Sequence, residues 1–566
     1  MIQNLKDEIL SLFNKNGIEG KIELVIPPTP DMGDFSFACF TLAKEQKKNP
    51  AEVAKDIQLK LDGINSDLIE KVEATGTYVN FFLKTSQVAE LVIEEIAKEQ
   101  TNYGKNNLGN GKKVLIEYPS QNTHKEFHIG HVRNVCMGNT LVELYKKNGY
   151  NIIPINYVND FGAHVVKCLW YLQKFYKDTT PPENKQKWLG QIYAEASTYV
   201  KEHPEVQSEL DVFQTKLETH DPEVWKLFEE TRQWSIDGFA NIYKEFGIIY
   251  DAIWYESEVK ERGQKIVDEL LEKKIAEVGE KGAIIVDLSN YKLDIILLRK
   301  ATGAGLYVTS DLALAEKKFN SYDIEESIYI TGIEQNFYFK QLFKVLELSG
   351  FHKKMTHIGY GLVSRPDGKM SSRLGNVILY EDLRDDIYEQ LYQASKERHA
   401  DWSEEKLKET VWKLTMAVLK FTMQKHEASK NIAFDMKEAV SFEGYSAPYI
   451  LYVIARINSL FKKSKVQSPK SKVVFGVLKE MEERRLVLLL AEYSEVVAKA
   501  LENYNPSVIA KYCFDIAQAF NEFYNKQSIL DVEEELSLAR LNLCEVVKQV
   551  LTDALGLLTI EVVEEM

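Results

Sequence analysis

Short apolar segments alternate with helical patterns from Val114 onward, and this alternation limits the possible folds more than any other sequence feature. The segment "VLIEY" precedes a polar loop and a helical pattern, and "NIIPINYVND" follows that helix. The later segments "IIVDL", "IILLR", "GLYVTSD" and "SIYITG" have a similar strand-like composition. Strands that alternate with helices indicate a parallel sheet with helices on both faces. We therefore predict an α/β fold built on a doubly wound parallel sheet.

Three regions of different composition follow one another in the 566 residues, enough length for three domains. Residues 1–105 mix amphipathic helices with short strands, and the linker-like stretch "NYGKNNLGNGKK" ends this region. Residues 106–400 contain the alternating pattern, interrupted at about 170–245 by a helical block rich in Trp, Tyr and charge. Residues 401–566 have helical periodicity almost throughout. We predict an N-terminal α+β domain, an α/β domain with a helical insertion, and an all-helical C-terminal domain.

The overall composition is that of an ordinary globular protein, with 45% hydrophobic and 27% charged residues. The net charge of −15 argues against a nucleic-acid coat protein but allows an enzyme that binds RNA through local patches. The five cysteines are scattered, so the sequence predicts neither a disulfide framework nor a zinc site. The N-terminal "MIQNLKDEILSLF" is typical of an amphipathic helix. We expect a cytoplasmic protein that does not enter a membrane.

Two histidines, His128 and His131, lie in "EYPSQNTHKEFHIGHVRN", where a predicted strand gives way to a helix. Their spacing places both on one face of the first helical turn, and Gly130 between them allows a flat group to approach. Ligands gather at strand carboxyl ends, and a helix N-terminus there attracts anions. The pair, with a mobile charge from Lys125, could therefore donate hydrogen bonds to phosphate oxygens. The alternative is that the pair caps the helix or binds a metal ion.

"HIGH" (His128–His131) resembles the first signature of class I aminoacyl-tRNA synthetases, and "DGKMSSRLGN" resembles their second signature, KMSKS. Within that class the chain resembles the arginyl-tRNA synthetase family over essentially its whole length. The segments that carry this resemblance are "PDMGDFSFACFTLAK", "IEYPSQNTHKEFHIGHVRN", "NYVNDFGAH", "GLYVTSDLALA", "FEGYSAPYILYVIARI", "FNEFYN" and "SLARLNL". The resemblance implies a Rossmann-type catalytic domain, an N-terminal additional domain and a helical anticodon-binding domain.

The resemblance further implies that five residues bind arginine: Glu117, Asn122, Tyr307, Asp311 and Gln335. A guanidinium is a planar cationic fork that prefers carboxylates, which favours Asp311, with Tyr307, as its partner. Glu117 and Asn122 are assigned to the α-amino and carboxylate end. The alternatives are a helix N-cap for Asp311, a core aromatic for Tyr307 and ordinary polar packing for Gln335. Buried acids would reject neutral look-alikes by about 10⁴ or more, so no editing domain is expected.

The implied reaction forms arginyl-adenylate from ATP and arginine, and then transfers the arginyl group to the terminal adenosine of tRNA(Arg). Lys125, His128, His131 and Lys369 are the predicted catalytic residues. The predicted ATP-binding residues are His128, Gly130, His131, Lys369, Met370, Ser371 and Ser372. Mg²⁺ is expected with ATP, and no zinc or other protein-bound metal is expected. Ser372 replaces the second lysine of KMSKS, and we hypothesise that Lys125 assumes part of its role.

Four basic residues at the start of the run "RINSLFKKSKVQSPKSK" are candidates for contacts with the tRNA backbone: Arg456, Lys462, Lys463 and Lys465. The alternative is a solvated helix end followed by a loop. Tyr445, Tyr449 and Tyr452 could stack on unpaired bases, although their spacing also predicts a buried stripe. By resemblance, the N-terminal domain meets the D-loop corner of the tRNA, and amino-acid activation requires bound tRNA. We expect a monomer.

Two other functions remain open at this stage. Turns similar to "HIGH" also occur in compact small-molecule nucleotidylyltransferases, but such an enzyme would leave both terminal regions unexplained. A catalytically inactive relative that only binds RNA would not need His128, Lys369, Glu117 and Asp311. Among synthetases, a cysteine-specific enzyme is disfavoured by the missing cysteine cluster, and glutamine- or glutamate-specific enzymes by the two acids.

Overall fold

The N-terminal region is an antiparallel sheet covered by helices. The computed structural model describes residues 2–27, 32–63, 66–364, 378–464 and 473–566. The first elements are α1 (Ile2–Lys15), β1 (Leu24–Val25), β2 (Phe35–Ala38), α2 (Phe40–Gln46), α3 (Pro50–Leu61), β3 (Ile69–Thr75), β4 (Tyr78–Leu83) and α4 (Thr85–Glu99). The strands are ordered β1-β2-β4-β3. Helix α1 buries one apolar face, and the Phe13 ring on that face contacts Phe37 and Phe81 of the sheet.

The central region contains the parallel sheet. Its elements in chain order are β5 (Lys113–Glu117), α5 (Ile129–Lys147), β6 (Asn151–Val158), α6 (Ala163–Phe175), α7 (Lys185–Glu202), α8 (Gln207–Glu218), α9 (Pro222–Phe246), β7 (Ala252–Tyr255), α10 (Glu256–Glu272), β8 (Glu277–Val278), β9 (Ile284–Asp287), β10 (Ile295–Arg299), α11 (Tyr307–Ser321), β11 (Glu326–Gly332), α12 (Asn336–Leu348) and β12 (Lys354–Tyr360). The strand order is β12-β11-β5-β6-β7, with every pair parallel. The strand order reverses between β5 and β11, which is where open parallel sheets bind ligands. The predicted doubly wound sheet is confirmed.

Two of the predicted strands belong to another sheet. "IIVDL" and "IILLR" form β9 and β10, which pair antiparallel with each other and with β8 in a separate three-stranded sheet. Their side chains alternate between buried and more exposed positions, as expected for a sheet with one solvated face. Assigning these two segments to the parallel sheet was therefore wrong.

The segment "GLYVTSD" is not a strand, because α11 begins at Tyr307. The hydroxyl of Thr309 accepts a hydrogen bond from the N–H of Leu306 at 3.0 Å and donates one to the carbonyl of Leu298 at 2.5 Å. These bonds fix the first turn of the helix and override the strand propensity of Val308 and Thr309. The strand prediction here was wrong, and Asp311 consequently lies inside a helix.

The C-terminal part is helical and packs against both preceding regions. It contains β13 (Val363–Ser364), α13 (Tyr380–Arg398), α14 (Glu404–Gln424), β14 (Ile432–Ala433), α15 (Met436–Ala439), α16 (Ala447–Lys463), α17 (Met481–Glu502), α18 (Ser507–Lys526) and α19 (Glu534–Leu557). Arg484 of α17 forms an ion pair with the buried Asp34, which also accepts the N–H of Leu83 at 2.6 Å. None of the helices in the described residues combines the length and apolar composition needed to cross a lipid bilayer.

Candidate active site

His128 and His131 cap the N-terminus of α5 reciprocally. His128 is the N-cap residue, and its Nδ1 accepts the N–H of Gly130 at 3.1 Å. The Nδ1 of His131 accepts the N–H of His128 at 3.3 Å. The two rings stack, with centroids 3.8 Å apart and planes 19° from parallel. Because capping uses Nδ1 of each ring, a ligand in front of the helix would meet Nε2.

Both imidazoles are neutral near pH 7. Burial lowers the pKa of His128 to about 4, and the positive charge of Lys125 lowers it further. Burial also lowers the pKa of His131 well below its ordinary value, with additional contributions from His128 and Lys125. A neutral ring that accepts at Nδ1 carries its proton on Nε2. The pair therefore presents two N–H donors, and helix capping and phosphate binding are compatible in the same residues.

Lys125 lies in the loop between β5 and α5, beneath the helical insertion. Its Nζ is 5.1 Å from the centroid of the Tyr193 ring of α7, and its carbonyl accepts a hydrogen bond from Gln186 at 2.9 Å. Burial lowers the pKa of its ammonium group. The second signature, with Lys369, Met370, Ser371 and Ser372, lies outside the described residues.

Acidic side chains from different elements meet where the strand order reverses. Glu117 is the last residue of β5, and its carboxylate lies 2.5 Å from the Nζ of Lys318 in α11. Asp311 of the same helix accepts a hydrogen bond from the hydroxyl of Tyr338 in α12. Burial raises the pKa of Asp311 to about 7; the hydrogen bond from Tyr338 opposes this shift, and the charge of Glu117 adds to it. The N-cap interpretation of Asp311 was wrong, because the helix begins at Tyr307.

Two of the other predicted arginine-binding residues follow strands of the parallel sheet, and the third begins α11. Asn122 follows β5 and forms an isolated parallel bridge with Asn159, which continues the pairing of β5 with β6. Gln335 is exposed at the end of a 3₁₀ turn directly after β11. Tyr307 is the first residue of α11 and is 54% exposed. The core-aromatic interpretation of Tyr307 is therefore wrong, and its ring is accessible to a ligand.

Comparison with known proteins covers all three regions. The family described as "tRNA synthetases class I (R), catalytic domain" matches residues 92–436. The chain belongs to the arginyl-tRNA synthetase family. The "Arginyl tRNA synthetase N terminal domain" matches residues 1–83, and the "DALR anticodon binding domain" matches residues 450–566. These two matches account for the terminal regions that a compact nucleotidylyltransferase would leave unexplained, so that alternative loses its support.

Individual members of the family align along their full length. An arginine--tRNA ligase of Clostridium botulinum (strain Alaska E43) is 35% identical over 554 residues, covering 97% of each chain. One from Clostridium beijerinckii is 34% identical, covering 99% of this chain and 100% of the relative. The arginyl-tRNA synthetase of Thermus thermophilus has the same fold, with a TM-score of 0.80 at 23% identity over 100% of both chains. The resemblance inferred from the signatures is thus confirmed.

The C-terminal domain of this family member contains a cleft of about 670 Å³ beside the predicted basic residues. Arg456 lines it, with its guanidinium 4.7 Å from the ring of Tyr452 and 4.5 Å from the ring of Tyr524. Lys463 also lines the cleft, whereas Lys462 forms an ion pair with Glu565. Lys465 lies outside the described residues.

The three tyrosines predicted near this domain's start differ in their surroundings. Tyr445 and Tyr449 pack against the Phe514 ring, with centroids 4.9 and 5.6 Å away. Tyr452 is exposed and lines the cleft. Tyr452 is therefore the one of the three that faces a ligand-sized space.

Three further residues of this region, Lys318, Tyr338 and Tyr157, were not predicted from the sequence. Lys318 lies seven residues after Asp311, a helical spacing that places both on one face, but this signal depends on recognising α11 as a helix. Tyr157 is buried, and its hydroxyl has no hydrogen-bond partner among the described residues. Tyr338 contacts Asp311 from another helix, so no local sequence pattern predicts the contact.

Proposed function

We propose that this chain ligates L-arginine to tRNA(Arg) through an arginyl-adenylate, with AMP and diphosphate as the other products. The observation that carries the proposal is the position of two acids, Glu117 and Asp311, where the strand order reverses. Glu117 ends β5, and the loop after β5 leads directly to the histidine pair. Family membership supports the same reaction. The test is to incubate total tRNA with each of the twenty amino acids and ATP; we expect esterification of arginine alone.

In the first step, the guanidinium of arginine pairs with Asp311 beside the exposed ring of Tyr307. Glu117, Asn122 and Gln335 serve the α-amino and carboxylate end of the substrate. An oxygen of the arginine carboxylate attacks the α-phosphorus of ATP, and the bond from that phosphorus to the departing diphosphate breaks. ATP enters as its Mg²⁺ complex, so the ion is part of the substrate and bridges phosphate oxygens. Positioning of the two reactants accounts for much of the expected rate enhancement.

The histidine pair stabilises the charge that grows on the α-phosphate. Each Nε2–H is a neutral donor held in place by a helix cap, so it needs no reorientation during the reaction. The dipole of α5 adds positive potential at the same place. Lys125 supplies a mobile positive charge, and Lys369 of the second signature is assigned to the departing diphosphate.

In the second step, a hydroxyl oxygen of the terminal adenosine of tRNA attacks the carbonyl carbon of the adenylate. The bond from that carbon to the AMP oxygen breaks, and the hydroxyl proton is released with AMP. The chain's contribution is to hold the adenylate in place while the end of the tRNA enters the active site.

The C-terminal cleft is the proposed site for an unpaired anticodon base. Its aromatic side chains, including Trp402, Tyr452 and Tyr524, offer stacking surfaces, and Arg456 and Lys463 offer positive charge to the backbone. In the N-terminal domain, the exposed rings of Phe40 and Tyr78 lie edge to face with centroids 6.1 Å apart. We assign this pair to the corner of the tRNA.

The proposed reaction belongs to cytoplasmic protein synthesis. The proposed enzyme acts as a monomer. Gel filtration with light scattering tests this, and the expected mass is that of one 65.1 kDa chain.

A further inference from the structure

Lys318 is a fully buried lysine at the proposed arginine site, and Glu117 is its one ion-pair partner among the described residues. Its side chain has no exposed surface, and its Nζ lies 2.5 Å from the Glu117 carboxylate. The same Nζ lies 3.3 Å from the centroid of the Tyr329 ring. Burying an ammonium group is costly unless it is paired, so the position of Lys318 depends on Glu117.

The charges around Lys318 come from several elements of the central region. The titratable groups that face it or Asp311 are Glu117 of β5, Tyr157 of β6, Glu256 of α10, Tyr307 of α11, Tyr329 of β11 and Tyr338 of α12. Burial raises the pKa of each of the four tyrosines, so all are neutral at pH 7. Burial also raises the pKa of Glu256 to about 8, which leaves this carboxyl mostly protonated.

The two acids of the pocket differ in whether a cation of the protein neutralises them. The ion pair of Glu117 with Lys318 has no net charge. Asp311 accepts a hydrogen bond from the neutral hydroxyl of Tyr338 and is half-buried, so its carboxylate, once deprotonated, is the negative charge left for a ligand. One net negative charge matches one guanidinium.

We propose that Lys318 is a positioning residue that neutralises Glu117 inside the protein and so makes Asp311 the partner of the substrate guanidinium. This inference rests on the proposed function, because it assigns a role within arginine recognition. Without Lys318, Glu117 and Asp311 would be two like charges in a buried site, and one of them would take up a proton. Arginine would then have to displace that proton before binding.

The measurable consequence is a shift of the pH profile of kcat/KM for arginine. That profile reports groups of the free enzyme, and it should decline on the acid side as Asp311 becomes protonated. The Lys318→Met variant should move this decline to higher pH by about one unit. At pH 6 its activity, as a fraction of its own plateau, should then be about tenfold lower than the corresponding fraction for the parent protein. The profile of kcat/KM for ATP at saturating arginine should not move, because arginine then occupies the pocket.

Two further variants test the charge balance itself. Glu117→Gln with Lys318→Met removes both members of the pair, so the acid-side decline should return to the position of the parent protein, even with a lower plateau. Because the double variant removes both charges of the pair, neither is left buried without its partner. The double variant can therefore be measured even if the single variant folds poorly. Lys317→Met is the matched control: Lys317 neighbours Lys318 on α11 but pairs with Glu258 at 2.7 Å on the surface. It should leave the profile unchanged.

The outcomes separate the inference from the proposed function. If the parent protein attaches no arginine to tRNA at any pH, the proposed function fails. If the parent is active but Lys318→Met lowers kcat/KM equally at every pH, the lysine is only structural and the inference fails. The inference also fails if the double variant stays displaced like the single one.

Discussion

The imidazole rings of His128 and His131 stack 3.8 Å apart while each Nδ1 accepts a backbone N–H of the first turn of α5. In each ring, Nδ1 caps the helix, and Nε2 is the nitrogen that we propose contacts the ATP phosphates. An asparagine can keep an acceptor near the place of Nδ1, but it has nothing at the place of Nε2.

His131→Asn should therefore keep the helix cap and lose catalysis. We expect the rate of arginyl-adenylate formation to fall by about 10²–10³-fold, as for removal of one donor to a developing oxyanion. The melting temperature should stay close to that of the parent protein. ATP–pyrophosphate exchange with tRNA present measures the first quantity, and calorimetry measures the second. A large loss of stability with an unchanged exchange rate would assign the ring to capping alone.

Asp311→Asn should abolish arginine selection. Removing one partner of a buried charge pair costs about 2–5 kcal/mol, so kcat/KM for arginine should fall about 30- to 5,000-fold. The KM for ATP should change little, because the change lies in the arginine pocket. Asp323→Asn, an exposed acid just after α11, is the control and should behave like the parent protein. Equal losses for both substrates would contradict this assignment of Asp311.

The same substitution should stabilise the protein at alkaline pH. The carboxyl of Asp311 has its pKa raised from an ordinary 3.8 to about 7, so between these values the folded state binds more protons than the unfolded state. The free energy of unfolding contributed by this group consequently falls as pH rises through that window. Asp311→Asn should raise the melting temperature more at pH 8 than at pH 5. Calorimetry at both pH values checks the sign.

Lys125→Met should slow formation of the adenylate. The ammonium lies in the loop that leads into His128, and Ser372 cannot supply the second cation of the usual KMSKS signature. We expect a loss of about tenfold or more in exchange rate, as for a charge lost from a phosphate site. Lys185→Met is the matched control, since Lys185 also lies over an aromatic ring, Trp234, at 4.9 Å. An unchanged rate for Lys125→Met would remove Lys125 from the mechanism.

Arg133→Met should destabilise the whole central region. Arg133 of α5 is buried and donates to the carbonyls of Gly361, Glu427, Ala428 and Lys430 at 2.5–3.2 Å. The carbonyls of Glu427 and Ala428 also accept backbone N–H groups, but those of Gly361 and Lys430 would lose their charged donor, which should cost at least about 3 kcal/mol. Arg262→Met, which removes two partly exposed surface ion pairs, with Glu269 and Glu316, should cost less than about 1 kcal/mol for each pair. Urea unfolding compares the two, and similar losses would refute the role given to Arg133.

Local signals made part of the fold predictable. The run "VLIEY", the capping histidines and Asn148-Gly149 at the helix end lie within one segment, so β5 and α5 could be inferred without tertiary information. The start of α11 was missed because Val308 and Thr309 favour strands, whereas the hydrogen bond that holds Thr309 in the first helical turn goes to Leu298 of β10. Without that helix, the run "EKK" gives no indication that Lys318 is buried while Lys317 is on the surface.

The ion pair of Asp34 with Arg484 joins the N-terminal sheet directly to helix α17. The distance between the Phe40–Tyr78 pair and the cleft around Arg456 is therefore set by packed protein and not by a flexible linker. An RNA must bridge that distance to touch both places at once. An RNA whose corner lies elsewhere would reach only one of them, so the two proposed contacts together would select for the overall dimensions of the RNA.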